Sequence, residues 1–383
     1  MSEALELTLP ESDTRAAQRH LGAALARLVR DLQRVTLPSD PVAAADARTV
    51  LALLGPLSRS QPGLVWSALR RPSVYSHLRL AADGAADLLH VGLVTLAAEL
   101  ASCSALEHLV ELRRAPRRIL LRSRMEQLTL DPAAPVRIHP DGSVSQRGVL
   151  CPRSPAFIPV RGPVALALAD DNPLAALEAH PDKSGSQLDL GVAPADHWVA
   201  ALEDAFALVA RGLPTLAEEL EVVLSVVVPV GTHQERHLSA SYREALGMIY
   251  LTLHPDPLTM MEAVVHEAQH NKLNAVLTVD RLLENAPEER YPSPVRPDPR
   301  PLLGVLLAVH AFVPVALLYQ ALGRTGDARV VNSRARARLG SIVAGNVEGL
   351  EMLERHARPT TLGAELLREL RQRHDASVEA LVS

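Results

Sequence analysis

The chain has 383 residues, of which 48% are hydrophobic and 22% charged, a composition typical of a folded globular protein and not of a disordered one. Its formal net charge of −5 and its aromatic content of 3% argue against nucleic-acid binding, which relies on basic surfaces and stacking side chains. Cys103 and Cys151 are its two cysteines, too few for a disulfide framework or a cysteine-based zinc site.

Two segments bear on cellular location. Residues 1–20 contain acidic side chains and no apolar core segment, so we expect no secretory signal. Residues 301–318 are almost wholly apolar, but His310 and Pro314 lie within this stretch, so we expect a buried core helix and not a membrane span. Together with the low cysteine content, these features predict a cytoplasmic protein that does not associate with a membrane.

The chain begins with a region that we predict to be helical and continues with a small β region. Apolar residues recur at three- and four-residue spacing up to about residue 115. Residues 116–195 then alternate in polarity, and Asp141-Gly142 is a typical hairpin turn between two such segments. We therefore predict an N-terminal helical region, residues 1–115, and a small antiparallel β region, residues 116–195.

Residues 196–383 are predicted to form a metal-binding, helical catalytic region. Two apolar segments at 221–230 and 248–253 are predicted to be buried strands. Two long helices are predicted at 258–283 and 301–322. The predicted fold class is mainly α with a smaller antiparallel β region (α+β). In this fold the helix predicted at 258–283 packs against the one predicted at 301–322. The boundaries between the three regions are soft, so one shared core is compatible with the pattern.

The strongest chemical motif is HEAQH, which places Glu267 between His266 and His270. Residues four apart lie on the same side of a helix, so the two imidazoles are able to bind one divalent ion. The flanking residues are apolar on nearly every helical face, which favours a buried helix whose ionisable groups need partners. A predicted strand precedes this helix, as in zinc peptidases. The alternative is a surface helix on which these residues have no joint role.

A third metal ligand is needed, and His310 is the preferred candidate. It lies alone in an apolar helical segment, four residues before Pro314, which cannot donate to the His310 carbonyl and bends the helix. The extended zinc-peptidase pattern, with a third histidine six residues after the motif, is absent. Glutamates near the end of the motif helix are the alternatives: Glu284, Glu288 and Glu289.

Two segments carry a resemblance to a known family. The sequence EAVVHEAQHNKLNAVL and the downstream stretch RPDPRPLLGVLLAVHAFVPVALLY resemble the HExxH-motif proteins of gene clusters for ribosomally made, modified peptides (RiPPs). Members of that family are iron(II)- and 2-oxoglutarate-dependent peptide β-hydroxylases. The resemblance is clearest from Ser239 to Tyr319. It implies His266 and His270 as metal ligands, supports His310 as the third, and implies a precursor peptide, 2-oxoglutarate and O2 as substrates.

The implied chemistry requires positions for iron and for 2-oxoglutarate. An octahedral iron with three protein ligands keeps three positions, enough for the 2-oxoacid group and dioxygen. An all-histidine ligand set also suits zinc, so the metal stays open between Fe(II) and Zn. The distal carboxylate of 2-oxoglutarate needs a cation, and arginine binds carboxylates well. The candidate cosubstrate-binding residues are Arg300, Arg296, Arg243 and Ser241.

Three functions therefore compete at the motif. In an iron oxygenase, Glu267 has a positioning role beside the metal or the substrate. In a zinc metallopeptidase, Glu267 is the general base that activates a metal-bound water. In a non-catalytic protein the motif only stabilises the core, although buried ionisable groups count against this. We expect a peptide substrate to pair with a strand edge, either within residues 117–190 or at the strand 248–253.

Overall fold

The computed structural model describes residues 6–176, 187–232, 237–293 and 296–382. It is 54% helical and 15% strand, which confirms the predicted fold class of mainly α with a smaller β region. The helices are α1 (Arg15–Leu32), α2 (Pro41–Ser60), α3 (Pro62–Leu69), α4 (Pro72–Ala82), α5 (Asp87–Ser102), α6 (Ala195–Gly212), α7 (Pro214–Val223), α8 (Pro257–Leu277), α9 (Leu302–Arg324), α10 (Ser333–His356) and α11 (Thr361–Val382). The strands are β1 (Val110–Leu112), β2 (Arg118–Leu121), β3 (Glu126–Thr129), β4 (Val136–Ile138), β5 (Val144–Gln146), β6 (Val149–Leu150), β7 (Arg153–Pro155), β8 (Phe157–Arg161), β9 (Val164–Ala167), β10 (Val226–Thr232), β11 (Ser239–Ala240), β12 (Met248–Leu253), β13 (Tyr291–Ser293) and β14 (Arg296–Arg300).

Prolines and polar caps mark where several helices begin. Helices α2, α3, α4, α7 and α8 have proline in their first turn, where the missing N–H is not needed for a helical hydrogen bond. The Asp40 side chain accepts a hydrogen bond from the Ala43 amide at 2.7 Å and so caps α2. In the N-terminal region α2, α3 and α4 all pack against α5.

The largest sheet in the described residues has five strands, in the order β11-β12-β10-β9-β8. Strand β10 runs parallel to both β9 and β12, and the outer pairs are antiparallel. Parallel strands are buried on both faces, which explains their continuous apolar sequences. The hairpin predicted at Asp141-Gly142 is present between β4 and β5. The strand predicted at 221–230 begins only at Val226, because α7 extends to Val223.

Strand β12 was expected to offer a free edge to a peptide, and this expectation is wrong. It pairs with β10 on one side and with the two-residue strand β11 on the other. Its parallel pairing with β10 extends from Met248 to Leu253, so the side toward β10 is closed along the whole strand. The other predicted substrate edge, within residues 117–190, stays a prediction, and β8 is an outer strand of this sheet in that range.

Helix α8 follows β12 and lies among several elements. It packs against α1, α6, α7, α9 and β12. Asn271 fixes the helix to the strand that precedes it, because its Oδ1 accepts from the Gly247 amide at 2.7 Å and its Nδ2 donates to the Met248 carbonyl at 3.2 Å. These bonds restrict rotation of α8 about its own axis. The orientation of the motif side chains is therefore set by the sheet.

Helix α9 is the helix in the described residues that is long and apolar enough to cross a membrane. It has 23 residues, and its most apolar window has a mean hydropathy of 2.3. That window is 72% buried inside the fold, as is usual for the core helix of a soluble protein. Helices α6, α8, α10 and α11 pack against it.

The hydrophobic clusters mix residues from the three regions delimited in the sequence. One cluster joins Ala17 in α1 and Val164 in β9 with Trp198 in α6 and Met260 in α8. Another joins the N-terminal helices with Ala275 near the end of α8. The boundaries near residues 115 and 195 thus do not separate independent cores.

Candidate metal centre

Two imidazoles converge on one face of α8. The Nε2 atoms of His266 and His270 lie 2.9 Å apart, with ring centroids 4.4 Å apart and ring planes at 82°. Both side chains are partly buried, and the Phe312 ring of α9 lies 4.6 Å from the His266 ring. Burial lowers the pKa of His270, so this imidazole favours the neutral form that binds a metal.

Glu267 belongs to the same cluster. Ligand atoms of His266, Glu267 and His270 all lie within 4.8 Å of one another. Glu267 is 3% exposed, and its Oε2 atom is buried without a hydrogen-bond partner in the described residues. A buried carboxylate oxygen in this state costs free energy unless a cation or a donor meets it. The cluster therefore has the composition and the charge of a cation site.

The geometry of the cluster fits a divalent metal ion. Two nitrogens at about 2.1 Å from one ion are about 3.0 Å apart at an octahedral angle and about 3.4 Å apart at a tetrahedral angle. The observed separation of 2.9 Å is a hydrogen-bond distance between the two rings, and it places both Nε2 atoms close enough to bind one ion. Two imidazoles and a carboxylate are also the ligand types of the facial triad in non-haem iron enzymes. No other histidine, cysteine or acidic residue of the described ranges joins the group.

The structure does not bring His310 into this cluster. His310 on α9 is fully buried, and its Nε2 donates a hydrogen bond to the Leu7 carbonyl oxygen at 2.9 Å. Burial lowers the pKa of His310 to about 3, so the ring is neutral. The prediction that His310 is the third metal ligand therefore has no geometric support. A histidine lies in this apolar helix because the buried Leu7 carbonyl needs a hydrogen-bond donor.

Leu7 and Thr8 form a buried N-terminal strap that three side chains hold. Both backbone N–H groups donate to the Glu369 carboxylate on α11, at 2.9 and 2.8 Å. The Leu7 carbonyl accepts from His310, and the Thr8 carbonyl accepts from Lys272 Nζ at 3.4 Å. Every main-chain polar group of the strap thus has a side-chain partner.

Lys272 connects the strap to a second buried charge. Its Nζ atom donates to Glu219 Oε2 at 2.8 Å, and both side chains are 1% exposed. Burial raises the pKa of Glu219, and the Lys272 ammonium acts in the opposite direction. Lys272 is one of only two lysines in the chain. A buried ion pair with a third partner, the Thr8 carbonyl, therefore lies two residues after His270 on the motif helix.

A cavity of about 670 Å³ opens beside His266. Its walls come from the first turns of α8, the second half of α9 and the beginning of α10. Two long helices start here, with Asp256 and Asn332 as side-chain caps, so their N-terminal dipoles add positive potential. The lining residues are His237, Ser239, Asp256, Leu258, Thr259, Glu262, Ala263, His266, Phe312, Tyr319, Arg329, Asn332, Arg334, Ala335 and Arg338.

Arg338 links this cavity to the metal cluster. Its guanidinium carbon lies 5.7 Å from the Phe312 centroid, which is 4.6 Å from the His266 ring, so at most about 10 Å separates Arg338 from that ring. Its Nε and Nη2 atoms donate to Glu262 over 2.7 to 3.2 Å, and Tyr319 donates to the same carboxylate. Its Nη1 atom has no hydrogen bond within the described part of the chain. The Nη1 amino group of a fixed arginine is thus available to an anionic ligand.

The residues predicted to bind 2-oxoglutarate do not line this cavity. Arg300 lines a different cavity at the beginning of α9, and Arg243 donates to a backbone carbonyl at the end of α8 at 3.0 Å. Ser241 follows β11 and is also absent from the lining. Arg296 belongs to β14, and its side chain lies outside the described residues. Arg300 does not reach the His266 cavity, because that cavity meets α9 about 18 Å further along the helix.

The alternative glutamate ligands lie at the surface. Glu284 pairs with Arg281 at 2.8 Å, and Glu288 is exposed. Hydrogen bonds from Tyr291 and Arg358 lower the pKa of Glu289 to about 2. None of the three joins the metal cluster among the described residues. Solvated or ion-paired charges explain them.

Sequence reasoning missed Arg338, Glu262 and Phe312. A signal for Glu262 was present, because it precedes His266 by four residues and therefore shares its helical face. A weaker signal for Arg338 was the arginine-rich start of α10. The contact of α10 with α9 and α8 depends on long-range packing, which residue spacing does not reveal.

No model of a known protein family matches the chain, and no curated protein matches it. The resemblance to the HExxH peptide hydroxylases therefore stays a prediction from the two motif-bearing segments. The geometry of the site is the remaining basis for a functional assignment.

Proposed function

We propose that the protein is an Fe(II)- and 2-oxoglutarate-dependent oxygenase that hydroxylates a side-chain β-carbon of a ribosomally made precursor peptide. The observation that carries this proposal is a cluster of two imidazoles and one carboxylate beside a cavity that holds a fixed arginine. Iron that binds both 2-oxoglutarate and dioxygen must keep several coordination positions open, so few protein side chains bind it. The cosubstrate needs a cation at its far end.

The proposed reaction is balanced in atoms and electrons. Dioxygen, 2-oxoglutarate and a C–H bond of the peptide give succinate, carbon dioxide and a C–OH group, so that one oxygen atom enters each of succinate and the peptide. Iron, when bound, supplies the redox chemistry that activates dioxygen. In this proposal His266 and His270 hold the metal through Nε2, and Arg338 holds the distal carboxylate of the cosubstrate.

A five-carbon diacid has a suitable length for this cavity. Its carboxyl carbons are about 5 Å apart when the chain is extended. A metal–oxygen contact of about 2 Å and a charge-assisted hydrogen bond of about 2.8 Å extend this reach to about 10 Å, which is enough to span the separation of at most about 10 Å between Arg338 and the His266 ring. Glu262 and Tyr319 hold the guanidinium before the ligand arrives, which reduces the entropy lost on binding.

Tyr319 is expected to act only as a hydrogen-bond donor in this arrangement. Burial raises the pKa of Tyr319 well above its ordinary value, and the Glu262 carboxylate acts in the same direction. The hydroxyl therefore keeps its proton at physiological pH and keeps Glu262 in place. Glu262 in turn determines which edge of Arg338 is available to the ligand.

The position of Glu267 favours a second candidate, a zinc metallopeptidase. In such enzymes the carboxylate next to the first motif histidine takes a proton from a metal-bound water. A buried Oε2 atom with no partner in the described residues, within 4.8 Å of the motif ligands, suits that base. The same atom suits a third iron ligand, so the two functions assign Glu267 different roles.

Metal content and cosubstrate turnover test the first proposal. We expect anaerobically purified protein to bind close to one iron per chain and to form succinate from 2-oxoglutarate in an iron-dependent manner. His266→Ala and His270→Ala should each abolish both properties. His197→Ala, which removes an exposed histidine of α6, is the matched control. Zinc binding with peptide cleavage and no succinate would contradict the oxygenase, and absence of any metal would contradict both functions.

Glu267→Gln separates the two candidates. In a peptidase the metal should stay bound, and hydrolysis should fall by roughly 10²- to 10⁴-fold because the general base is lost. In an oxygenase that uses Glu267 as a ligand, iron occupancy should fall with succinate formation. Retained iron with succinate formation at the wild-type rate would assign Glu267 no more than a positioning role.

A further inference from the structure

Strand β11 (Ser239–Ala240) is an outer strand of the five-stranded sheet. It pairs with β12 on one side, and no strand of the described residues pairs with its other side. The Thr252 amide donates to the Leu238 carbonyl at 2.9 Å, so the main chain of Leu238 faces β12. Because this direction alternates along an antiparallel pair, the N–H and C=O of Ser239 face the outer side. This edge therefore directs one donor and one acceptor away from the sheet.

The side chain of Ser239 lies on the sheet face that carries the motif helix. Ser239 is directly opposite Leu251, and residues opposite each other in a sheet point to the same face. Leu251 belongs to the hydrophobic cluster that contains Leu258 and Val264, so α8 covers this face. Ser239 accordingly lines the cavity that also contains His266. The outer edge of β11 and the candidate metal centre thus share one cavity.

The other outer strand of this sheet, β8, differs from β11 in both respects. It lies at the opposite end of the sheet, and none of its residues lines the cavity beside His266. It also contains Pro159, which has no N–H to donate to a ligand. Strand β11 contains no proline and therefore keeps both of its amides. Of these two edges, β11 is the one that combines main-chain donors with the motif helix.

We propose that the outer edge of β11 binds the peptide substrate as an added, extended strand, with one peptide residue paired to Ser239. Taking a peptide as the occupant rests on the proposed function. A peptide main chain repeats a donor and an acceptor at every residue, so one residue satisfies the N–H and the C=O of Ser239 together. These bonds involve main-chain atoms only, so they do not restrict the side chains of the peptide.

Pairing at Ser239 determines which peptide side chain reaches the cavity. The peptide residue opposite Ser239 points to the same sheet face as Ser239, with the two Cβ atoms about 5 Å apart. Its neighbours on either side point to the opposite face. Because α8 and His266 lie on the Ser239 face, the paired residue is presented to the metal centre and its neighbours are not. Strand β11 has only two residues, so the pairing register selects the residue to be modified.

Fluorescence anisotropy tests the proposal on the full-length protein. The probe is a rhodamine-labelled octapeptide of alternating valine and threonine, and its counterpart has an N-methyl group on every internal amide, which removes the main-chain donors. We expect the unmethylated peptide to bind at least tenfold more tightly. Ser239→Pro removes the outward N–H without removing a bond to β12, and it should weaken binding of the probe at least tenfold. Ser239→Ala is the matched control, because it keeps this N–H, and it should bind the probe within about twofold of the wild type.

Hydrogen exchange on the wild-type protein provides a second measurement if Ser239→Pro does not fold. Amides within residues 237–242 should exchange more slowly when the probe is bound. Protection confined to β8, equal binding of the two peptides, no binding of the probe, or unchanged binding in Ser239→Pro overturns the proposal.

The outcomes separate this proposal from the proposed function. Probe binding should persist in His266→Ala/His270→Ala, because the edge needs no metal. Probe binding at Ser239 in a protein that contains no iron and forms no succinate would contradict the proposed function alone. Succinate formation by a protein that shows none of this pairing would contradict the edge of β11 alone.

Discussion

The hydrogen bond from His310 to the strap leads to a prediction that distinguishes a structural histidine from a metal ligand. Replacing His310 by alanine removes the donor to the Leu7 carbonyl and leaves that buried acceptor without a partner. The unsatisfied carbonyl costs about 1–3 kcal/mol. The space left by the imidazole adds about 1–2 kcal/mol. We therefore expect His310→Ala to lower the free energy of unfolding by roughly 2–5 kcal/mol, with metal occupancy unchanged.

Urea unfolding followed by circular dichroism measures the stability, and elemental analysis of the same preparation measures the metal. A loss of this size is a large part of the total stability of about 5–15 kcal/mol that is usual for folded proteins. His310→Gln is the matched control, because its amide N–H is able to donate to the same carbonyl, and it should recover more than half of the lost stability. Limited proteolysis should cleave near the strap faster in the alanine variant.

One result would refute the reasoning. If His310→Ala unfolds at the wild-type urea concentration but has lost its metal, then His310 is a ligand and the strap does not depend on it. Loss of metal in His310→Gln at full stability would point the same way. Loss of stability in both variants, with metal retained, would keep the structural role but assign it to packing of the ring.

The remaining predictions concern acid stability, the buried ion pair and the cosubstrate. The pKa of His310 is about 3 in the folded chain, against an ordinary value of 6.5, so the unfolded chain binds this proton at a higher pH than the folded chain. Urea titrations should therefore show the free energy of unfolding falling as the pH drops from 6.5 toward 3. The fall should be less steep in His310→Gln. Lys272→Met should lower the free energy of unfolding by about 3–5 kcal/mol, because it leaves Glu219 unpaired. Adding Glu219→Leu should recover most of this loss, and additive losses in the double variant would contradict the prediction. Arg338→Ala should weaken 2-oxoglutarate binding, measured by calorimetry, at least tenfold, whereas Arg300→Ala should not.

The sequence predicted those elements whose signals are local. The strand at Met248–Leu253 has the predicted bounds, and α9 lies within two residues of its predicted bounds. Helix α8 begins one residue before its predicted start but ends at Leu277 and not at 283. The spacing of apolar residues and the positions of prolines determine where these elements begin and end, and both are visible in neighbouring residues of the sequence. The convergence of His266 and His270 is local in the same sense, because four-residue spacing on one helix fixes it.

The parts that could not be predicted depend on contacts between distant residues. His310 was interpreted from its apolar neighbours and Pro314, but its partner is Leu7, 303 residues away. Arg300 was chosen because it precedes His310 by about three turns on one predicted helix, and Arg338 was not considered, whereas the packing of α10 against α9 brings Arg338 near His266. A buried polar group signals that a partner exists, but the sequence does not identify that partner.

The strap also has a consequence for the order in which the chain folds. Leu7 donates to a carboxylate on Glu369, a separation of 362 residues. At a synthesis rate of about 5–20 residues per second, roughly 20–70 s pass between the appearance of these two residues on the ribosome. Until α11 is complete, the first residues lack the acceptor for both of their amides. A chain that stops before α11 should therefore leave the Leu7 and Thr8 amides without these two hydrogen bonds, and limited proteolysis should cleave near the strap faster than in the full-length chain.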